Sequence, residues 1–482
     1  MGTDINRQYK RQFFGPWSFV LGHSSLLLLI SLSCCLSAPP ASSSTVTNRM
    51  VWHRDTGHVD ADVQTWDLLT LLENVAAATG WHIFLEPNQL HTVSAKFSDL
   101  PEGPALRSLL GDMNFVVVPQ TNGPSQLYVF RTSRGLATQI IRPLPKPSPP
   151  SKPIPNELIV TLKPGSKTKI DELARLLGAK VVGRMDGQNA YRLQFNTESD
   201  AIAARDQLAA NPDVQSIDTN FTVAPPPQVE AVGGAASPDL QLKPKASDGN
   251  CQLVVGLLDT PMQPLSSNLT SFIKPSLSVA GPAQPPTGQL THGTAMAETI
   301  LKALQQKTGG ATSVKIQPVD IYGGNETTTT FDVANGAVTA VNNGANILNM
   351  SLGSTSDSPF LQNVINQITQ QGIPVFAAAG NQPVTTPTYP AAYPGVIAVT
   401  ASDQSGQIAS YANRGSFVKM IAPGDNVVPF DGQNYLVEGT STATAIASGM
   451  AAGLADSAGD CADQAVSLLQ KSLKAPPKSV SQ

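Results

Sequence analysis

The chain contains 482 residues, among them 31 basic and 35 acidic side chains, which give a formal net charge of −4. At about 150 residues per domain, this length predicts about three domains and excludes a single small scaffold. Charges this few and this evenly balanced give no indication of a polyanion-binding surface, and they argue against nucleic acid as a partner. The hydrophobic content of 41% is too high for a wholly disordered chain. With 38 glycines and 39 prolines, the sequence predicts many turns and at least one stiff linker.

Residues 1–40 have the pattern of a segment that directs export. Basic residues precede a leucine-rich apolar run, and small residues follow it, at Arg7, Lys10, Arg11, Phe19–Leu36 and Ser37-Ala38. The pattern predicts a secretion signal, but Pro39 directly after Ala38 disfavours cleavage there, so an uncleaved membrane anchor stays open. Cys34 and Cys35 end the run and leave lipidation of a cysteine as a third outcome.

Two cysteines remain if the first forty residues are removed. Cys251 and Cys461 are then an even number in an oxidising compartment, where disulfides form and persist. A bridge between them would tie together the two ends of the last domain. Two unrelated buried thiols are the alternative.

Two stretches of unusual composition divide the chain after residue 40. Residues 141–156 are predicted to be a semi-rigid linker, because they contain seven prolines between Arg142 and Pro155. Residues 223–250 combine prolines, glycines and small polar residues without an apolar period, and are predicted to be exposed and open to proteolysis. Three folded segments are left.

The first segment, residues 50–135, predicts a small α+β domain. Alternating apolar residues at Val59–Val63 indicate a strand, and apolar residues at helical spacing then continue until Gly80. Two further strands, a short helix over Pro104–Met113 and two closing strands complete the prediction. The order of elements and the phrase Thr79-Gly80-Trp81-His82-Ile83 resemble the short N-terminal domain of secretins and TonB-dependent receptors. That resemblance implies a periplasmic domain that docks on an envelope protein.

Four of the six histidines of the chain fall in this first segment, at His53, His58, His82 and His91. No cysteine lies nearby and their spacing is not that of metal ligands. They are interpreted as surface or packing residues.

The second segment, residues 157–222, alternates strands and helices in the order βαββαβ. A strand at Glu157–Leu162 leads to a helix, two strands, a helix over Ser199–Ala210 and a last strand at Val214–Asp218, which is a ferredoxin-like order. With the ending Asn211-Pro212-Asp213-Val214, the segment resembles the propeptide inhibitor domain of subtilases. An independent binding domain is the alternative.

Four short stretches of the third segment, residues 251–475, each place a polar residue where acyl-transfer chemistry needs one. Asp259 ends an apolar strand, which is where open α/β sheets carry functional groups. His292 is the only histidine after residue 91, so an imidazole base in this domain must be His292. Asn381 ends another apolar strand, and Ser441 opens a helix rich in small residues. Singly, each has a plain structural explanation, such as a helix cap or a turn.

Together these residues follow the order of the subtilisin triad. The order is Asp259, His292 and Ser441, with Asn381 between base and nucleophile as an oxyanion donor. The segment resembles the subtilases, and the resemblance implies an α/β fold whose mostly parallel sheet carries helices on both faces. It also implies two substrate-binding stretches, Ser351-Leu352-Gly353 and Ala378-Ala379-Gly380.

Three positions depart from the family's pattern. The family usually has glycine two residues after the catalytic aspartate, whereas this chain has Pro261, which makes the geometry of that loop uncertain. Ala295 replaces a second histidine of the family, and Ala445 replaces a proline after the serine. Neither handles charge in the reaction.

The resemblance implies an exported serine endopeptidase that hydrolyses peptide bonds through an acyl-enzyme on Ser441. The second segment would inhibit it until the chain cuts itself within the linker 223–250. No acidic cluster has the loop spacing of a calcium site, so no cofactor is predicted and a calcium requirement stays open. Two other readings are a pseudoprotease and a structural secretion component, each using the first segment to dock on an envelope complex.

Overall fold

The fold is described from a computed structural model of the chain, taken in the three segments that the sequence analysis defined. The structure describes residues 48–87, 89–119, 125–141, 150–224, 229–232, 240–247, 252–282 and 288–472. The predicted export segment, residues 1–40, lies outside the described residues, as do Cys251 and residues 142–149 of the proline-rich stretch. The described residues belong to one compact unit.

The first domain is an α+β domain with two small sheets. Its strands are β1 (Arg49–His53), β2 (His58–Asp67), β3 (His82–Leu85), β4 (Thr92–Pro101), β5 (Asn114–Val118), β6 (Gln126–Phe130) and β7 (Gln139–Ile141), and its helices are α1 (Leu68–Thr79) and α2 (Glu102–Leu110). The sheet orders are β1-β2-β4 and β5-β6-β3-β7. Helix α1 begins where the Asp67 side chain accepts the N–H of Thr70, and it ends at Gly80, whose φ of 76° is left-handed. The sequence analysis did not predict β1 and β7, the first and last strands of this domain, each of which lies at the edge of its sheet.

The second domain has the predicted ferredoxin-like order. Its elements are β8 (Pro153–Leu162), α3 (Ile170–Leu176), β9 (Lys180–Met185), β10 (Ala190–Gln194), α4 (Glu198–Ala209) and β11 (Val214–Val223). The strands lie in the order β11-β8-β10-β9, and all neighbouring pairs are antiparallel. Strand β8 begins four residues inside the predicted linker, because Pro153 pairs with Phe221 near the end of β11.

The stretch 223–250 is not uniformly exposed, contrary to expectation. Strand β12 (Glu230–Val232) pairs with a strand of the third domain, and so does β13 (Lys243–Pro244). Leu240 and Leu242 are buried in the core of the third domain. The described parts of this linker are therefore bound along the third domain, where backbone pairing and two leucines hold them.

The third domain is built on a seven-stranded parallel sheet. Its strands are β14 (Val254–Asp259), β15 (Leu277–Ser278), β16 (Ala311–Thr312), β17 (Lys315–Asp320), β18 (Thr328–Thr329), β19 (Ile347–Met350), β20 (Val375–Ala378), β21 (Ile397–Ser402), β22 (Met420–Pro423), β23 (Asp425–Phe430) and β24 (Gln433–Glu438). Its helices are α5 (His292–Thr308), α6 (Thr330–Asn342), α7 (Pro359–Gln370), α8 (Thr440–Ala458) and α9 (Ala462–Ser472). The sheet order is β15-β17-β14-β19-β20-β21-β22.

Helices cover both faces of this sheet, as predicted. The central strand β14 alternates its side chains between two cores, with Val255 and Leu257 in the core shared with α5 and α8. Val254 and Leu258 belong to the core shared with α6 and α7. A strand that is buried on both faces has a continuous run of apolar residues, and for this reason β14 could be predicted from the sequence.

Within the described ranges, no helix is long and apolar enough to cross a membrane. In the same residues, no group of three or more histidine, cysteine, aspartate or glutamate side chains is placed to hold a metal ion.

Candidate active site

Asp259 and His292 lie together at the carboxyl edge of the sheet. Asp259 is the last residue of β14, and His292 is the first residue of α5, whose N-cap is Thr291. Nδ1 of His292 lies 2.8 and 2.9 Å from the two carboxylate oxygens of Asp259. Both residues are buried, with exposed fractions of 3% and 7%. This contact fixes the imidazole and leaves its Nε2 to accept a proton.

The loop after Asp259 keeps the carboxylate in place despite Pro261. The backbone N–H of Thr260 donates to Asp259 Oδ1 at 2.7 Å, and the N–H of Gly293 donates to Thr260 Oγ1 at 2.9 Å. A Cβ at position 293 would lie only 2.3 Å from the carbonyl oxygen of Thr260, so only glycine fits there. The question that Pro261 raised is thus answered by two hydrogen bonds of Thr260, the residue that precedes it.

Ser441 lies in the first turn of α8, which packs against α5. The two helices run in the same direction, because Gly449 lies against Ile300 and Gly453 lies against Lys307, further along both helices. The Ser441 hydroxyl donates to the carbonyl oxygen of Ser351 at 3.1 Å, so its side chain must rotate to donate to His292. Catalytic hydrogen bonds are often long or misaligned in enzymes without substrate and tighten when substrate binds.

Asn381 is held by the residue that precedes the serine. Its Oδ1 accepts the backbone N–H and the hydroxyl of Thr440, both at 2.9 Å. The Thr440 hydroxyl in turn accepts the N–H of Gly380 at 3.1 Å. The bonds to Thr440 hold the amide oxygen. The NH₂ group of Asn381 is the donor of this side chain and can bind a substrate oxygen.

The two predicted substrate-binding stretches approach each other, and their residues differ in position. Gly353 and Gly380 line one cavity of about 60 Å³ together with Asn381, Thr388 and Asn413. Ser351 faces Ser441 instead, since its hydroxyl donates to the Ser441 carbonyl oxygen at 3.0 Å. Leu352, Ala378 and Ala379 are buried.

The second domain reaches this cavity with both of its ends. Thr222 and Val223 of β11 pair with Thr329 and Thr328 of β18, and Ala224 lines the cavity. Ser151 also lines it, with its hydroxyl 2.7 Å from that of Ser354. The cleft beside Asn381 is therefore covered by two segments of the second domain.

Tyr322 forms a hydrogen bond with the end of the second domain. Its hydroxyl donates to the carbonyl oxygen of Ala224 at 3.1 Å. Burial, with a smaller contribution from the charge of Asp259, raises the pKa of Tyr322 well above its usual range. The phenol therefore stays protonated and remains a donor.

Several functional residues were missed from sequence. Thr440, Ser151, Tyr322 and the short strand β18 carry no local signal of their roles, because each acts through a partner distant in the chain.

A polar cluster fastens the second domain to helix α6. Arg192 Nη1 donates to Asp332 Oδ2 at 2.9 Å, and the side chain of Asn220 accepts the N–H of Phe331 at 3.1 Å. Burial raises the pKa of Asp332, although Arg192 opposes the shift. Both charged side chains are largely shielded from water, with exposed fractions of 18% and 9%.

Cys461 is disulfide-bonded. Its predicted partner, Cys251, lies outside the described residues, so their pairing stays a prediction.

Known families match two parts of the chain. Residues 250–468 match the model of the subtilase family, Peptidase_S8, and residues 144–220 match that of the fervidolysin N-terminal prodomain. A thermostable alkaline protease of Halalkalibacterium halodurans is 41% identical over 158 residues, which are 32% of this chain and 44% of that protein. Subtilisin Savinase of Lederbergia lenta is 36% identical over 181 residues, which are 35% of this chain and 67% of that protein.

Among solved structures, fervidolysin from Fervidobacterium pennivorans aligns with 20% identity over 62% of this chain and 54% of that one, at a TM-score of 0.49. The chain spans 44% of the length of the first of these relatives and 67% of the second, and the family model covers residues 250–468, most of the third domain. On the family match and the identity to Subtilisin Savinase, the chain belongs to the subtilase family and carries a fervidolysin-like prodomain.

Proposed function

We propose that the chain is an exported serine endopeptidase whose nucleophile is Ser441. His292 takes the proton of the Ser441 hydroxyl as that oxygen attacks a peptide carbonyl, and later returns it to the leaving amine. Asp259 holds the imidazole in the required tautomer and stabilises its charged form. The NH₂ group of Asn381 and the Ser441 N–H receive the oxyanion. The contact of His292 with both carboxylate oxygens of Asp259 is the observation that carries this proposal.

Hydrolysis of an unfolded protein substrate tests this function. Wild-type chain is expected to degrade casein, and Ser441→Ala is expected not to. The matched control is Ser448→Ala, which removes another buried helix α8 hydroxyl, one that donates to Asn349. Equal degradation by wild type and Ser441→Ala would refute the assignment.

The prodomain is proposed to inhibit the enzyme within the same chain. Its end lies against β18, and Ala224 and Ser151 line the cavity next to Asn381. A polypeptide substrate is expected to lie there as an added strand between β18 and Ser351-Leu352-Gly353, with its side chain against Ala378-Ala379-Gly380. Processing within residues 223–250 would release the prodomain.

The first domain is proposed to bind an envelope protein, and the periplasm or envelope of a Gram-negative bacterium is the proposed location. Its resemblance to the short N-terminal domain of secretins and TonB-dependent receptors supports this role, as does the export pattern of residues 1–40. Crosslinking in envelope preparations should require residues 50–135 and be unaffected by Ser441→Ala. Crosslinking that persists without residues 50–135 would argue against it.

A further inference from the structure

The linker after the prodomain forms a strand on β24, the strand that precedes the nucleophile in the chain. Strand β12 pairs antiparallel with β24, with Glu230 opposite Leu436 and Val232 opposite Asn434. Strand β24 ends at Glu438, and Ser441 follows three residues later. Val229 also packs against the core of the third domain. The linker is thus held by backbone pairing and by an apolar contact.

The pairing of β24 with its other neighbour shows which backbone groups face β12. Pro429 of β23 lies opposite Asn434, and a proline has no N–H, so this pair cannot exchange two hydrogen bonds. Residues of an antiparallel strand alternate between bonding to one side and to the other. The N–H of Gly439 donates to the carbonyl of Gly424 at 2.8 Å, which agrees with the same alternation. The N–H and C=O groups of Asn434, Leu436 and Glu438 therefore face away from β23, toward the edge that β12 occupies.

The described parts of the linker contact the third domain at two places, one beside Asn381 and one on the strand that leads to Ser441. At the first place, Val223 pairs with Thr328, and Ala224 lines the cavity that Asn381 also lines. At the second place, Glu230 and Val232 pair with β24, the strand that leads to Ser441. Both pairings are antiparallel.

We propose that β12 is a second, intramolecular occupant of the cleft, distinct from the end of the prodomain. It covers the edge of β24 on which a polypeptide substrate would lay the residues that follow the cleaved bond. The ligand of this edge is an extended peptide backbone, because the groups that face it are main-chain donors and acceptors. Removal of the prodomain alone leaves this half of the cleft occupied. The inference rests on the proposed endopeptidase function.

Two proline substitutions in β12 separate this role from a general disturbance of the linker. Val232 lies opposite Asn434, whose groups face β12, so Val232→Pro removes an N–H of the ladder. Ala231 lies opposite Tyr435, whose groups face β23, so Ala231→Pro removes an N–H that points away. The two variants place the same residue in neighbouring positions.

The test uses the full chain and two substrates. Ala-Ala-Pro-Phe-p-nitroanilide has no amino acid after the cleaved bond, and a quenched fluorescent Ala-Ala-Pro-Phe-Ala-Ala-Ala-Ala has four. The ratio of kcat/KM for the long substrate to that for the short one should rise about fivefold in Val232→Pro, since one backbone hydrogen bond of the competing strand is lost. Ala231→Pro should keep the wild-type ratio.

Hydrogen exchange, measured on each variant combined with Ser441→Ala, reports whether β12 is bound. The amides of Asn434 and Leu436 should exchange faster in Val232→Pro and unchanged in Ala231→Pro. Faster exchange without a change in the kcat/KM ratio would overturn the inference, and so would equal exchange in both variants. If wild type hydrolyses neither substrate, the proposed function fails, and the exchange rates alone then decide whether β12 lies on β24.

Discussion

Replacing Asn381 by leucine should remove one donor to the oxyanion, together with the acceptor of two hydrogen bonds from Thr440. The Asn381 oxygen is bound to Thr440 through two hydrogen bonds of 2.9 Å, which leaves the NH₂ group as the part of the side chain that can reach a substrate. Leucine has a similar size and no donor. Loss of one such donor in a subtilisin costs about 2.7–4 kcal/mol, so kcat is expected to fall about 100- to 1,000-fold.

The assay is steady-state hydrolysis of Ala-Ala-Pro-Phe-p-nitroanilide, with kcat and KM determined separately. KM should stay within a few-fold of wild type, because the oxyanion forms only in the transition state. Thr440→Ser is the matched control, since serine keeps both the N–H and the hydroxyl that hold Asn381. A kcat of Asn381→Leu within threefold of wild type, with the protein folded by circular dichroism, would refute the role of this amide.

Asp259→Asn should lower kcat about 10,000-fold, as the same change does in another Ser-His-Asp triad, because the imidazole is then held in the wrong tautomer; stopped assays over hours measure the residual rate. Burial raises the pKa of Glu73 to about 7, so the folded chain holds this proton more tightly than the unfolded chain. The thermal midpoint should therefore fall as pH rises from about 4.5 to 7, and Glu73→Gln should reduce that fall; identical pH profiles would contradict this. Arg192→Met leaves Asp332 buried without its cation, which should weaken prodomain binding by about 2–5 kcal/mol and shorten the lag before activity appears. Non-reducing peptide mapping should recover Cys461 linked to Cys251, and a link to Cys34 or Cys35 would exclude that pairing.

The sequence predicted the parts of the fold that have a strong local period. Strand β14 is buried on both faces and reads as an apolar run, and its last residue, Asp259, could be placed at the sheet edge for that reason. The βαββαβ order of the prodomain followed from the alternation of periods, and the structure confirms it.

Features that depend on distant pairing could not be predicted. The stretch Glu230–Val232 has no apolar alternation of its own, and it becomes a strand because β24 offers an unpaired edge. The role of Thr440 arises from contacts with Gly380 and Asn381, about sixty positions away, and nothing in its neighbourhood indicates them.

The central claim is that Ser441 is an activated nucleophile in an assembled triad. Intact mass of the wild type and of Ser441→Ala, recorded with and without a fluorophosphonate, tests it most directly. The account predicts that wild type is labelled and divides within residues 223–250, while Ser441→Ala is unlabelled and stays whole. A wild type that is neither labelled nor divided would mean that the subtilase framework is present without its chemistry.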